Sequence, residues 1–373
     1  MILTDGVITL RRPTMDDVDA IVEQCIDEDS LRWTTVPRGY TTVDAAAFLE
    51  HIAVDWSAPR GVRHWAIEVV GDDGTPRFGG TIDLRPGESW DYASIGFGLH
   101  PAARGRGVMA RAVRLVATWA FEEGPWGRPL TRIHWRAIAG NWGSRRVAWA
   151  TGFTFHGLLP GTHRNVLDPD GPGLDSWHAS LAAGDRMEPR HPWFEPVVVE
   201  GQGVRLRPWR ASDAGSVEPS ADPEHWFPRH VLLTPENFPA WVERRRELMA
   251  AGHAIEWAIA DAETDRALGQ MTVFQRGGPL TGDVAEVGYQ LFPSGRGRGY
   301  VKAALRLAVA QAFRPKEEGG LGVRRLVAET AADNEASNGV LRSAGFVVYG
   351  REHATDELPD GSYEDGLHWE LVR

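Results

Sequence analysis

Hydrophobic and polar positions follow the same order in two long stretches of this chain. In the first, a short β-type run at Leu10 leads to helical material that includes residues 44–54, with Thr42 as its cap. Strand-like runs come next at 65–70, 80–84 and 93–99. Ala112, Leu115, Val116, Trp119 and Ala120 then recur near the helical period. A strand over 132–137 precedes a second helix that stops at Gly152, where a left-handed cap is expected, and a strand over 177–181 closes the pattern. The second stretch repeats this with a helix over 239–249 and strands over 256–260, 269–274 and 285–292. Its next helix carries Leu305, Ala308, Val309, Ala312 and Phe313, followed by a strand over 325–329 and a helix ending at Gly345. The pattern predicts an α/β domain, a mixed sheet with helices on its faces, built twice.

The correspondence extends to individual residues. Leu10, Arg11 and Asp17 match Leu206, Arg207 and Asp213; Gly80 matches Gly269; Asn141 and Ser144 match Asn334 and Ser337. In the closing strands Asp175 and His178 answer Asp365 and His368. Matched positions lie roughly 190 residues apart, far beyond the ~20–50 residues of a solenoid unit, so a whole domain is duplicated. We expect domains at 1–183 and 201–373, joined at 184–200, where prolines 189, 192 and 196 oppose both helix and central strand.

The most conspicuous match is Arg104-Gly105-Arg106-Gly107 with Arg296-Gly297-Arg298-Gly299, each between a strand ending in proline and a long helix. Glycines allow close approach of a ligand to the backbone, and the first N–H groups of a helix lack internal partners and favour an anion. Arginines add charge to the same anion. A phosphorylated cofactor fits such a turn, and its repetition argues against an ordinary surface turn.

At 373 residues, 42% hydrophobic and 24% charged, the chain has the composition of a soluble globular protein. Its single cysteine, Cys25, excludes an internal disulfide framework and any multi-cysteine metal site, and no metal is expected. No membrane-spanning run or secretory leader is evident, which makes the cytoplasm the expected location and the membrane no partner. A net charge of −11 argues against nucleic acid and favours a cationic partner.

Strand, Pro-x-x-Arg-Gly-x-Gly, helix, strand, Asn-x-x-Ser and a helix ending in Gly-Phe together resemble the GNAT superfamily of acyl-CoA-dependent N-acyltransferases. The similarity is closest to its ribosomal-protein N-terminal acetyltransferase branch, which also shares Leu206-Arg207-Pro208 with Asp213 and Glu286-Val287-Gly288-Tyr289. The resemblance implies acetyl-CoA as co-substrate, its pyrophosphate on the backbone of Arg104, Gly105, Arg106, Gly107, Val108 and Met109, and of Arg296, Gly297, Arg298, Gly299, Tyr300 and Val301. Met109 and Val301 stand where the family has Gly or Ala. The N–H near Leu99 or Leu291 would polarise the thioester carbonyl. Asn141 and Asn334 would hold the pantetheine arm or the acceptor, and Ser144 and Ser337 would protonate the departing thiolate; capping of the next helix is the plain alternative for the asparagines and serines.

An alkylammonium has a pKa near ~10, so a base must remove its proton. Glu286 matches the family's strand carboxylate, whereas the first copy has Ser94 there, with Asp91 upstream and His100 and Glu68 as other bases. The second copy therefore holds the fuller catalytic set. His178 and His368 read as structural. Trp135, Trp142 and Trp149 have no counterparts in the second copy, and core packing, an inter-domain contact or a substrate wall would each explain them. The expected reaction is acyl transfer to a primary amine, on a small molecule or a protein N-terminus; a homodimer is possible on this reading. A non-catalytic acyl-CoA sensor or scaffold is the alternative. A Rossmann dinucleotide enzyme is disfavoured by the glycine spacing.

Overall fold

The computed structural model describes the chain apart from residues 72, 167, 224, 225, 227–232 and 281. Its contacts divide it into two compact units, Met1–Arg190 and His191–Arg373. Residues of the proline-rich stretch are tied into both: Arg190 donates to the carbonyl of Gly152, and Phe194 N–H to that of Met249.

The first unit runs β1 (Leu3–Thr4), β2 (Ile8–Arg11), α1 (Val18–Ile26), α2 (Glu28–Trp33), α3 (Thr42–Ser57), β3 (Arg63–Val70), β4 (Pro76–Pro86), β5 (Tyr92–Leu99), α4 (Val108–Glu122), β6 (Arg132–Ile138), α5 (Trp142–Ala150), β7 (Thr154–His163) and β8 (Leu174–Ala182). Its sheet order is β1-β2-β3-β4-β5-β6-β8-β7, antiparallel except for β5 beside β6. That parallel pair requires a crossover, which α4 supplies. The cap of α3 is Thr41 rather than Thr42: its extended backbone lets Thr41 Oγ1 accept from Asp44 N–H while the Asp44 carboxylate bonds back to Thr41 N–H.

The second unit repeats the plan with β9 (Val199–Gly201), β10 (Val204–Arg207), α6 (Phe238–Ala250), β11 (Ala254–Asp261), β12 (Ala267–Phe274), β13 (Val284–Leu291), α7 (Tyr300–Phe313), β14 (Arg325–Ala331), α8 (Glu335–Ser343), β15 (Val347–Glu357) and β16 (Tyr363–Val372). The order β15-β16-β14-β13-β12-β11-β10-β9 again has one parallel pair, β13 with β14.

In each unit the crossover helix packs its apolar stripe on one sheet face. Val113, Val116, Ala117 and Ala120 of α4 are fully buried in one core with Trp65 and Ile82; Ala304, Leu305, Ala308 and Ala312 of α7 join Trp257 and Trp369 in the other. Trp135 belongs to the first core, and Trp142 packs against Trp177 in a tilted pair with centroids 4.7 Å apart, so both serve packing. Gly80 and Gly269 sit where β4 and β12 press on their neighbours. A Cβ would lie 2.3 Å from the Gly98 carbonyl oxygen in one and 2.1 Å from that of Gln290 in the other.

Candidate functional site

The parallel pairs end early. β13 pairs with β14 only from Val284 to Glu286, and β5 with β6 only from Tyr92 to Ile95, so the second half of each strand parts from that neighbour. Phe292 N–H bonds back to Leu268 and His100 N–H to Gly79, both on the antiparallel side. Backbone groups alternate along a strand, so Leu291 and Leu99 turn their N–H and C=O into the gap. Each gap leads to a glycine turn and then a helix.

Both turns have the same geometry. Gly105 and Gly107 have φ of 74° and 72°, and Gly297 and Gly299 have 73° and 80°. A side chain would be strained at all four positions, yet an added Cβ would meet nothing within 4 Å. Gly107 and Gly299 are the N-caps of α4 and α7 and offer no side-chain acceptor. The first bonds back to these caps come from Arg111 in α4 and from Lys302 and Ala303 in α7. The preceding N–H groups, those of Val108 and Met109 and of Tyr300 and Val301, thus form a nest with the positive helix end behind them. The side chains of Val108 and Met109 go into the core, while Val301 lines the cleft and Tyr300 donates to Asp261.

The arginines do something the sequence did not reveal. Arg104 is held by Asp27 and Asp29 and reaches the Leu99 carbonyl at 3.4 Å; Arg296 is held by Asp222 at 2.6 Å and reaches the Leu291 carbonyl at 3.2 Å. Each therefore ties its turn to the parted strand. Arg106 contacts the Val70 carbonyl, and Arg298 lies over the Tyr300 ring. Backbone and helix dipole, rather than arginine charge, define the anion nest.

Across the gap, Asn334 Oδ1 accepts from Ser337 N–H at 3.0 Å and Asn141 Oδ1 from Ser144 N–H at 3.1 Å, so both asparagines cap their helices. That leaves the Ser337 hydroxyl aimed at the parted strand β13 and the Ser144 hydroxyl at β6. Ser337 Oγ lies 2.9 Å from the hydroxyl of Tyr289 on β13; Ser144 Oγ accepts from Trp135 Nε1 at 3.1 Å. Burial pushes the Tyr289 phenol up to about 12, which keeps it protonated.

Glu286 is 12% exposed and held by Arg276 through two contacts of 2.7 Å. Burial nevertheless leaves its carboxyl above the ordinary range, because Arg276 offsets only part of the desolvation. Arg276 also bonds Glu329 at 2.7 Å, and His368 stands between Glu329 (3.6 Å) and Glu352 (3.2 Å). The sequence reading missed Glu329 and Glu352. In the first unit the register equates Glu329 with Arg136 and His368 with His178, and the conserved spacing of β7 and β15 places Leu159 opposite Glu352. His178 there bonds Ser176 at 2.9 Å and is held neutral by burial and Arg136. His100 and Glu68 are engaged elsewhere, the first with Glu23 and the second with Arg11.

In the second unit these groups share one cleft of about 1280 Å³. Arg296, Gly297, Gly299 and Val301 line one end, Leu291, Tyr289, Asn334 and Ser337 the middle, and Glu286, Glu329, His368 and Glu352 the other. Among the described residues, no group of three or more His, Cys, Asp or Glu is placed to hold a metal, and no helix is long and apolar enough to cross a membrane.

A sheet parted beside a glycine turn at a helix N-terminus is the architecture of an acyl-CoA-dependent acyltransferase. The acetyltransferase (GNAT) domain family matches residues 8–154 and again 204–347, so the chain belongs to the GNAT acetyltransferases and carries the domain twice. Similar solved structures each cover about half of the chain. A GNAT-family acetyltransferase from Bacillus anthracis is 17% identical, covering 50% of this chain and 100% of its own, with a TM-score of 0.42. The ribosomal-protein-S5-alanine acetyltransferase of Vibrio fischeri is 21% identical over 48% of this chain and 97% of its own, at a TM-score of 0.36. The microcin C7 self-immunity acetyltransferase MccE, solved with acetyl-CoA and AMP, is 18% identical over 48% and 93%, at 0.41. Among curated proteins nothing matches.

Proposed function

We propose that the chain transfers acetyl from acetyl-CoA to a primary amine, and that the second unit carries the chemistry. The observation behind this is the single cleft that joins an uncapped anion nest, a strand N–H turned into a gap, a serine hydroxyl and a buried carboxylate. The nest fits the cofactor: an added Cβ meets open space at Gly297 and Gly299, where a pyrophosphate would approach. Acetyl-CoA supplies an activated thioester. Leu291 N–H polarises its carbonyl as the oxyanion develops. Glu286 takes the ammonium proton, directly or through water, the amine nitrogen bonds to the carbonyl carbon, and the C–S bond breaks. Ser337 passes a proton to the thiolate and regains one from the second proton that the nitrogen sheds as the amide forms, while the proton on Glu286 leaves to solvent. Holding both substrates together supplies much of the rate.

The first unit supports a second reading for itself, as an acyl-CoA-binding module, because Ser94 and Arg136 stand at the positions of Glu286 and Glu329. Its turn has the same nest, so we expect the chain to bind two CoA molecules. Calorimetric titration of CoA into the full chain, beside thiol release with a panel of amines, tests both readings. Loss of one binding step in Gly107→Glu and of the other, together with turnover, in Gly299→Glu is expected. A chain that binds no CoA, or keeps full turnover in Gly299→Glu, would contradict the assignment.

A further inference from the structure

β11 carries a carboxylate that the steps above do not use. Ile255, Trp257 and Ile259 point into the core, so Glu256, between them, projects from the opposite face of the sheet. It is 1% exposed, and among the described residues neither of its oxygens has a partner at hydrogen-bond geometry, although the Thr272 side chain stands beside it. The nearest described cation, Arg245 of α6, forms a long ion pair with it, 3.8 Å at Nε and beyond hydrogen-bond reach. Burying a carboxylate this way is costly, and native proteins seldom leave one short of hydrogen bonds without a use for it.

Its surroundings say what the use is. In register, Glu256 faces Thr272, and Thr272 faces Gly288. Thr272 and Gly288 line the cleft, as do Ala254, Arg245 and Gln270 around them. Glu256 therefore lies directly behind the back wall of the cleft, covered by these lining residues. Glu286 lies one step along and two strands over on the same face, roughly 12 Å away between Cα atoms on strand spacing alone. At the mouth the Arg276 guanidinium already sits between Glu286 and Glu329, so the carboxylates there are arranged to receive a cation.

The duplicate unit shows that the fold does not require this arrangement. Its register places His64 at the position of Glu256 and Asp83 at that of Thr272. There a basic ring stands near two carboxylates of its own chain, with Asp55 at 3.5 Å. In the second unit the carboxylate is present and, among the described residues, no basic side chain comes within hydrogen-bond reach of it.

We infer that the acceptor of the second unit carries two positive charges a short aliphatic chain apart: an amine acetylated beside Glu286 and a second cationic group held by Glu256. This names the substrate class for the acetyl transfer proposed above and rests on that reading. The class is that of α,ω-diamines and amines bearing a remote ammonium or guanidinium group. Charged acceptors are drawn in past Glu329 and Glu352, and the one long enough to reach the back wall is retained.

The test uses the full chain and acetyl-CoA, with α,ω-diamines of about five and eight carbons, the monoamines of equal length and the matching ω-amino acids. We expect at least about a tenfold advantage in kcat/KM for the better diamine over its monoamine, the size of one charge-assisted contact. Glu256→Gln should abolish that advantage by raising KM for the diamine and leave kcat and the monoamine within about twofold. Equal or better use of monoamines or amino acids, or an unchanged diamine preference in Glu256→Gln, overturns the inference. If no amine releases thiol, the acyl-transfer reading fails by itself. Calorimetric titration of the diamine into the CoA-loaded chain then decides the inference: binding weakened in Glu256→Gln sustains it, and no binding ends it.

Discussion

The hydroxyl of Tyr289 lies 2.9 Å from Ser337 Oγ, which links the parted strand β13 to the first turn of α8. Either hydroxyl can donate in this pair, and the phenol, kept protonated by burial, also donates to the Ser337 carbonyl at 3.3 Å. When the phenol donates to Oγ, the serine's own proton is left for another acceptor. We expect Ser337→Ala to lower kcat with acetyl-CoA about a hundredfold, in the range of general acid catalysis. Tyr289→Phe should lower kcat less and leave the KM for acetyl-CoA unchanged, since it only orients the serine. Steady-state thiol release measures both. Full kcat in Ser337→Ala removes the serine from the mechanism.

Arg276 holds Glu286 from the solvent side, and its charge lowers a carboxyl pKa that burial has raised. Removing the guanidinium leaves the desolvation and deletes the compensation. The carboxyl then keeps its proton to a higher pH. In Arg276→Ala the acidic limb of the kcat/KM profile should therefore move upward in pH, by about one unit for the loss of one close ion pair. A limb that stays in place, or moves down, means that Glu286 is not the group titrating.

The sequence carried the fold and the anion nest because both depend on local signals that recur: glycines at left-handed positions, apolar stripes and helix stops. The restraints on Arg104 and Arg296 were not legible. Their partners, Asp27 and Asp222, lie more than seventy residues upstream in segments with little shared pattern. Glu256 was hidden for another reason. A glutamate between apolar neighbours reads as a solvated outward position, and only the packing of α6 over that face buries it. Glu329 and Glu352 were within reach, since pairing the repeats residue by residue sets them against Arg136 and Leu159.

The matched Arg–Asp pairs behind the first long strands of the two units differ in burial. Arg207 and Asp213 are 1% and 6% exposed, and Asp265 also accepts from Arg207; Arg11, bonded to Asp17, is 27% exposed. Breaking a buried pair leaves an uncompensated charge, at about 3–5 kcal/mol. The aspartates left behind are equally buried, Asp17 at 4% and Asp213 at 6%, but water can enter the place vacated by the part-exposed Arg11 and not that vacated by Arg207. Arg207→Ala should thus lower the melting transition of its unit more than Arg11→Ala lowers that of the first. Differential scanning calorimetry of the full chain reads both, and equal shifts would contradict the difference in burial.

Glu256 makes stability and acceptor recognition oppose each other. Its carboxyl is pushed up to about 7 in the folded protein by burial, against about 4.3 in an unfolded chain. Between those values the native state binds more protons than the unfolded state, so stability falls as pH rises through that window. Above pH 7 the full penalty is present, up to about 4 kcal/mol for a shift of this size. Below pH 4 the group is protonated in both states and the penalty is absent. Glu256→Gln should consequently melt at the same temperature as the parent near pH 4 and at a higher temperature at pH 8. A variant no more stable than the parent at pH 8 would mean that the buried carboxylate is already compensated. A more stable variant that has also lost its preference for diamines would show that the buried charge is kept for the acceptor.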